Sequence, residues 1–549
     1  KADRSIRPEA IALGVFGGIV ALAALLIAGQ LIGRQLLRAA AERRVLRALG
    51  ANPAMTAADG LLLLIGAVLL GALLAVVVAI SLSPLAPFGP VRAVYPYGGF
   101  SFDWTVLGAG FAVLVLGLAT AAVVLGYRGA PHRVAARAGD GDRTSRTMSA
   151  VSASGLPPAA VEGIRFALGR RGGSEAVPMR STIVGIVLAI VVLIGTVTFG
   201  ASLDHLVSDP VLYGWNWDYA LVAGADIPQH QAAVLLNRDH DIAAWSGDYT
   251  GTLDVGGTNI PVLGTPPNAS VSPSILSGHP IGSDGQIVLG ALTLAQLHRY
   301  LGQTVRVSNG VDPPVHLKIV GTAALPALGS ATGGSHLELG VGGVVAYSLL
   351  PAAARNPFDN PVPGPNVTLV RLRNGVNRAT ALHSLQAIAH ATTNVYNFGV
   401  FVSGVVRPAE IVNYRAMGGT PAYLSAGLAA GALTALTLTL VASVGRRRRD
   451  LALLKTLGFS RRQVAATVAW HATISVVLGV AVGIPLGIAL GRLLWNLFAR
   501  NINVVPSPSV PVEWVLAVGF GAIVLANVVA AFPARVAART PTALALRSE

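Results

Sequence analysis

The sequence predicts a polytopic α-helical membrane protein with about seven transmembrane helices, in two repeats of three plus one linking span, and one extracytoplasmic α+β domain. Three observations carry this. First, 53% of the 549 residues are hydrophobic and only 12% are charged, against about 25% charged in an ordinary soluble domain; mean hydropathy is +0.62. Second, seven apolar stretches reach the roughly 20 residues a bilayer requires: 11–32, 61–82, 105–126, 182–203, 422–444, 464–490 and 512–532. Third, the stretch 204–421 changes character. It alternates as strands do at Thr252-Leu253-Asp254-Val255, Val305-Arg306-Val307 and Val367-Thr368-Leu369-Val370, and it carries turn signals at Gly256-Gly257 and Asn374-Gly375.

Each segment then finds a side of the membrane. Lys and Arg number five in loop 33–60, nine in 127–181, seven in 445–463 and three in 533–549, but one in loop 83–104 and ten in the whole of 204–421. The positive-inside bias puts the arginine-rich loops and the C-terminus in the cytoplasm and 204–421 outside. The net charge of +15 is therefore topological, and no nucleic-acid partner is expected. An arginine-rich helix, not a small-residue cleavage site, follows the first stretch, which reads as a span and not a signal peptide. Absence of cysteine excludes disulfides, cysteine zinc sites, iron–sulfur clusters and thiol nucleophiles.

Two landmarks repeat in the same order. Glu42-Arg43-Arg44-Val45-Leu46-Arg47-Ala48-Leu49-Gly50 matches Asp450-Leu451-Ala452-Leu453-Leu454-Lys455-Thr456-Leu457-Gly458 at an offset of 408, and Pro131-His132-Arg133-Val134-Ala135-Ala136-Arg137 matches Pro533-Ala534-Arg535-Val536-Ala537-Ala538-Arg539 at 402. The chain divides into a first membrane repeat (1–137), a cytoplasmic linker with an amphipathic helix (138–181), a span (182–203), the outer domain (204–421) and a second membrane repeat (422–549). The second repeat has a span and an outer domain before it; the first has neither, so the chain is expected to start part-way through its first repeat.

Local motifs sharpen the picture. After Arg446–Arg449, the residues Leu451, Leu453, Leu454 and Leu457 form an apolar helical stripe, with Gly458 placed to stop the helix and Ser460 to cap the next. Gly479, Gly483, Gly487 and Gly491 recur every four residues in the sixth span, and Gly427 and Gly431 do so in the fifth; such faces let helices approach closely. Pro485 is expected to kink the sixth span, which runs on past bilayer length. His471 reads as a neutral interfacial histidine, and Tyr213, Trp215, Trp217 and Tyr219 as the apolar start of the outer domain. Residues 159–171 suggest an amphipathic helix lying on the membrane. Hydrolase elbows and His-Glu-x-x-His do not occur, and neither does Gly-x-x-x-x-Gly-Lys-Ser/Thr, so no triphosphate cradle is expected in this chain.

The order of span, arginine-rich turn, acidic residue, apolar helix, Leu-Gly and a basic start to the next span resembles the FtsX/MacB-type permeases of ATP-binding-cassette (ABC) systems. The outer-domain segments Gln286–Gly290, Leu301–Val307 and Ile319–Gly321 resemble that family too. The resemblance implies a bacterial plasma-membrane subunit that is not itself an enzyme. No cofactor is bound by the chain; ATP and magnesium are bound by a separate cytoplasmic ATPase dimer. ATP-driven closure is passed to the outer domain by mechanotransmission, acting on a lipid, lipoprotein, peptide or drug, or on an extracytoplasmic protein partner. On this reading Arg449, Asp450, Leu453, Leu454, Lys455 and Gly458 form one ATPase-docking surface, and Glu42, Arg43, Leu46, Arg47 and Gly50 the other. Leu454→Asp is then expected to uncouple the ATPase without disturbing insertion. A transmembrane scaffold controlling a cell-wall hydrolase is the alternative reading.

Overall fold

The computed structural model describes residues 53–85, 102–128, 155–168, 179–328, 337–351, 364–395, 397–408 and 454–539, with scattered positions elsewhere. Its helices are α1 (Pro53–Leu82), α2 (Trp104–Arg128), α3 (Pro158–Leu168), α4 (Met179–Ser208), α5 (Gln229–Arg238), α6 (Ala291–Gln296), α7 (Arg378–Thr392), α8 (Arg461–Asn501) and α9 (Val512–Arg539). Two compact units emerge. One contains Ser202–Arg415 with Leu494–Ser509; the other contains Ala12–Ala201, Ala416–Leu493 and Val510–Glu549.

In the membrane unit, three described helices are long and apolar enough to cross a bilayer: Ile183–Ser208, Arg461–Asn501 and Val512–Ala531. The apolar stretches Ile65–Ser81 and Trp104–Thr120 lie within α1 and α2, at the expected second and third spans. The stretches 11–32 and 422–444 lie almost wholly outside the described residues. α8 continues through Pro485 for 41 residues. Its antiparallel neighbour α9 is joined to it by a polar pair: the Asn527 amide donates to the Thr473 hydroxyl at 3.0 Å and to the Ile523 carbonyl at 2.9 Å. In lipid such a pair contributes about 0.6 kcal/mol and at most about 1.7. Asn527→Leu is therefore expected to lower the unfolding free energy in detergent by about that much while leaving helix content unchanged by circular dichroism.

The outer unit is built on one sheet, in the order β10-β1-β9-β2-β3-β8-β5-β7-β4, with β6 pairing β2 and β7. The strands are β1 (Tyr219–Ala223), β2 (Ile242–Val255), β3 (Thr258–Thr265), β4 (Ile275–Gly278), β5 (Gln286–Gly290), β6 (Thr304–Ser308), β7 (Val315–Ala323), β8 (Gly343–Ala346), β9 (Val367–Leu372) and β10 (Val400–Ser403). The 14-residue β2 is the spine. Its first half pairs β9 and its second half pairs β3, through the Gly256-Gly257 turn expected from sequence. Each half packs its own core. Leu221, Val370 and Leu372 meet Leu236 of α5 and Leu385 of α7. Tyr249, Leu253, Ile260 and Val262 meet Ile287, Ile319 and Val345.

The entry to this unit is also built. Tyr213, Trp215 and Trp217 are buried there, and Tyr219 opens β1, as the aromatic run suggested. Gly214 takes φ 94, and a Cβ on it would lie 2.1 Å from the Ala324 carbonyl oxygen, so only glycine fits. The segment Leu494–Ser509 buries Trp495, Phe498 and Val504. The Val505 N–H donates to the Leu212 carbonyl at 2.9 Å. The Ser202 hydroxyl donates to the Ser509 carbonyl at 3.2 Å and accepts from the Ser509 N–H at 3.0 Å. By sequence these residues read as the end of a span and its loop; structurally they complete the outer unit.

Two carboxyls lie inside it. Asp226 accepts a short hydrogen bond from the Tyr249 hydroxyl. Asp248, in β2, accepts from the Ser246 hydroxyl at 2.9 Å. Burial pushes both above the usual carboxylate range, Asp248 to about 7; the Tyr249 hydroxyl opposes the shift at Asp226, and the Thr265 and Ser246 hydroxyls oppose it at Asp248.

Candidate functional site

The apolar helix after Arg446–Arg449 is described from Leu454 onward. It ends as its sequence requires. Gly458 adopts φ 94. The Phe459 N–H donates to the Leu454 carbonyl at 3.0 Å and the Gly458 N–H to the Lys455 carbonyl at 3.1 Å. That is a Schellman motif, in which a glycine in the left-handed region returns two orphan carbonyls to hydrogen bonding. The capping box follows at once: the Ser460 N–H donates to Gln463 Oε1 at 2.8 Å and the Gln463 N–H to Ser460 Oγ at 3.3 Å. Helix, stop and restart are thus locally encoded over Leu454–Gln463, and they join the short helix to α8 through one glycine.

The faces of that short helix differ from the expectation in one respect. Leu454 is 8% exposed, packed with Phe166, Val464, Val468, Ala472, Ala530 and Ala534. Leu457 is 77% exposed. A leucine stripe that is apolar on both sides does not say which side turns inward; here Leu454 and Phe459 close the hydrophobic contact of the Schellman motif. Leu454 is therefore a core residue of the membrane unit, and among the described residues of the short helix the accessible leucine is Leu457. Burial, and then the nearby Arg461 guanidinium, hold the Lys455 ammonium below the usual lysine value. Arg461 and Arg462 are exposed beside it. The remaining docking candidates, Arg449, Asp450 and Leu453 in this copy and Glu42, Arg43, Leu46, Arg47 and Gly50 in the other, lie outside the described residues.

The glycine face of α8 is a tight helix contact. A Cβ on Gly479 would lie 2.3 Å from Ile186 Cγ2. On Gly483 it would lie 2.7 Å from Ile190 Cβ, on Gly487 2.7 Å from Ile194 Cβ, and on Gly491 2.7 Å from Thr198 Cβ. Each step of four along α8 is a step of four along α4, so the two helices run parallel, the fourth and sixth spans crossing in one direction. Gly427 and Gly431 do not share this role: both are exposed and a Cβ on either would meet nothing within 4 Å. The spacing of four is common to both spans, but among the described residues it is α8 that has a partner helix at its glycine face. His471 is 3% exposed, buried within the unit and not at a wet interface. α3 packs one face into the unit through Ala160, Ile164, Phe166 and Ala167.

With this arrangement in view, two family models match. The FtsX-like permease C-terminal domain matches residues 422–542, and the MacB-like periplasmic core domain matches residues 181–388. Together they span more than half of the chain. The chain carries an FtsX-like permease C-terminal domain and a MacB-like periplasmic core domain. Among solved structures, the periplasmic region of MacB from Actinobacillus actinomycetemcomitans aligns at 11% identity over 36% of this chain and 93% of its own, with a TM-score of 0.24. A domain of a permease protein from Porphyromonas gingivalis aligns at 13% identity over 34% and 82%, with a TM-score of 0.22. No curated protein matches.

The short helix, the glycine face and α9 fall within the FtsX-like match, and β1–β9 within the MacB-like match. β10 and Leu494–Ser509 complete the outer unit from beyond the MacB-like match. Sequence reasoning missed Phe166. Its signal in the sequence is helical spacing from two small residues, seven after Ala159 and three after Gly163.

Proposed function

We propose that the chain is the membrane subunit of an ABC-type complex, and that a separate cytoplasmic ATPase dimer presses on the short helix ending at Gly458. The observation that carries the reading is the division of that helix into a buried side, Leu454, and an exposed side, Leu457. An exposed leucine beside Lys455, Arg461 and Arg462 offers a partner an apolar anchor with a basic rim, the composition of a docking contact. The buried side joins that anchor to α8. Movement of the ATPase is then passed to the outer domain, which acts on a lipid, lipoprotein, peptide or drug. ATP and magnesium belong to the partner. Glu42–Gly50 supplies the matching surface for the second ATPase protomer. The arginine-rich loops and the C-terminus face the cytoplasm.

The test uses the full chain, co-expressed with the ATPase encoded in its genomic neighbourhood and purified in mild detergent. Leu457→Asp is expected to insert normally and to lose at least tenfold of the permease-dependent change in ATP hydrolysis, the effect of losing one interface anchor worth about 2 kcal/mol. Leu454→Asp is expected to fail earlier, by putting an unpaired carboxylate into the bundle, and to give little folded protein. Unaltered hydrolysis with Leu457→Asp would remove the docking reading.

A further inference from the structure

A short helix joined to α8 through a single left-handed glycine can pivot, and a push on Leu457 would be lost in that pivot unless the opposite side is braced. The brace comes from a separate part of the chain. α3 lies immediately after the linker between the repeats and presents small residues, Ala160, Gly163 and Ala167, on one face. Gly163 sits directly on α8: a Cβ there would lie 2.5 Å from Trp470 Cβ and 2.9 Å from the Thr467 carbonyl oxygen. That close approach brings Phe166, 5% exposed, into the same apolar cluster as Leu454 and Val464. The outer side of α3 is charged, Glu162 pairing with Arg165 at 3.3 Å, so the helix has one face only to give to the bundle.

We propose that α3 is the positioning element of the docking helix, with Gly163 setting its distance from α8 and Phe166 holding Leu454, so that force applied at Leu457 turns α8 and not the short helix alone. The role rests on the docking reading above. It assigns Phe166 to transmission, since its side chain is buried away from the partner-facing leucine.

The chain has no cysteine, so Leu457→Cys provides a single attachment point for a nitroxide label in the full-length protein in lipid nanodiscs. Phe166→Ala is expected to release the label from restricted motion. In the chain with Leu457 intact and unlabelled, Phe166→Ala is also expected to lower permease-dependent ATP hydrolysis about fivefold while the ATPase still co-purifies in the same ratio. Phe166→Leu, which refills the volume, is expected to restore both. If Phe166→Ala does not insert, Phe166→Val is read in the same way. A label that stays restricted in the truncated variant overturns the proposal, and so does a mobile label with full hydrolysis. Absence of any ATPase response from the wild-type chain overturns the docking reading and the transmission role with it; the label, which needs no partner, distinguishes that failure from a missing brace.

Discussion

Gly487→Ala is expected to destabilise the pairing of the fourth and sixth spans by about 1–3 kcal/mol, the usual cost of forcing a methyl into a filled contact. Two neighbours make this position, like Gly491, less forgiving than Gly479 or Gly483. The new Cβ would lie 2.7 Å from Ile194 Cβ and 2.9 Å from the Val191 carbonyl oxygen. A side-chain methyl can rotate away, but backbone oxygen on a helix cannot. Gly479 is the contrast: its nearest neighbours are atoms of the Ile186 side chain, and the backbone carbon is 3.7 Å away. Gly479→Ala is therefore expected to cost less than Gly487→Ala, a ranking that unfolding in mixed micelles would check. Gly487→Leu is expected to separate the helices altogether, read as loss of cross-linking between cysteines placed in α4 and α8. Equal stability of Gly487→Ala and wild type would mean that the two helices are not in contact there.

Asp248→Asn is expected to change how the outer domain responds to pH. Burial raises the folded-state value of Asp248 from 3.8 to about 7. Below the ordinary value both folded and unfolded chains hold the proton, and folding loses nothing. Between the two values the unfolded chain releases its proton while the folded chain keeps it, so stability drains as pH rises, until the folded carboxyl also ionises near 7. Through this group alone the domain is expected to be about 2–3 kcal/mol less stable at pH 8 than at pH 5. The asparagine keeps an oxygen for the Ser246 hydroxyl and has no charge to bury. Amide exchange of β2 in the full chain is expected to accelerate about 30- to 100-fold over that interval in the wild type and much less in the variant. Asp226, raised for the same first reason, leaves a residual slope in the same direction. An identical pH response in both proteins would show that Asp248 is not buried in its protonated form.

What could be read from the sequence was what is local. The stop at Gly458 and the restart at Ser460 depend on ten consecutive residues, and they fold as those residues prescribe. The glycine face of α8 is a property of helical spacing, visible without knowing its partner. The partner was not visible, because Ile186, Ile190 and Ile194 are three more apolar residues in an apolar span. The orientation of the short helix before Gly458 was hidden for a related reason: Leu454 and Leu457 are chemically the same, and only the surrounding bundle decides which is covered. In the outer domain the strands at Thr252–Val255, Val305–Val307 and Val367–Val370 were legible from alternation. The parallel pairing of β3 with β8, and the pairing of β2 with β6 and β9, depend on chain segments far apart in sequence. Asp226 and Asp248 read as surface residues until the sheet closes over them.

Completion of the outer domain by Leu494–Ser509 has a consequence for biosynthesis. Ribosomes deliver the domain's main body, through Arg415, well before they deliver Trp495, Phe498 and Val505. At about 5–20 residues per second the interval is roughly 4–16 seconds. During that time the Leu212 carbonyl has no Val505 N–H, and the apolar surface that Trp495 and Phe498 later cover is open. The apolar helix α8 must also be inserted before the missing segment reaches its place. A substitution that merely slows insertion of α8 would therefore show itself on the far side of the membrane, as an outer domain held open to chaperones and proteases.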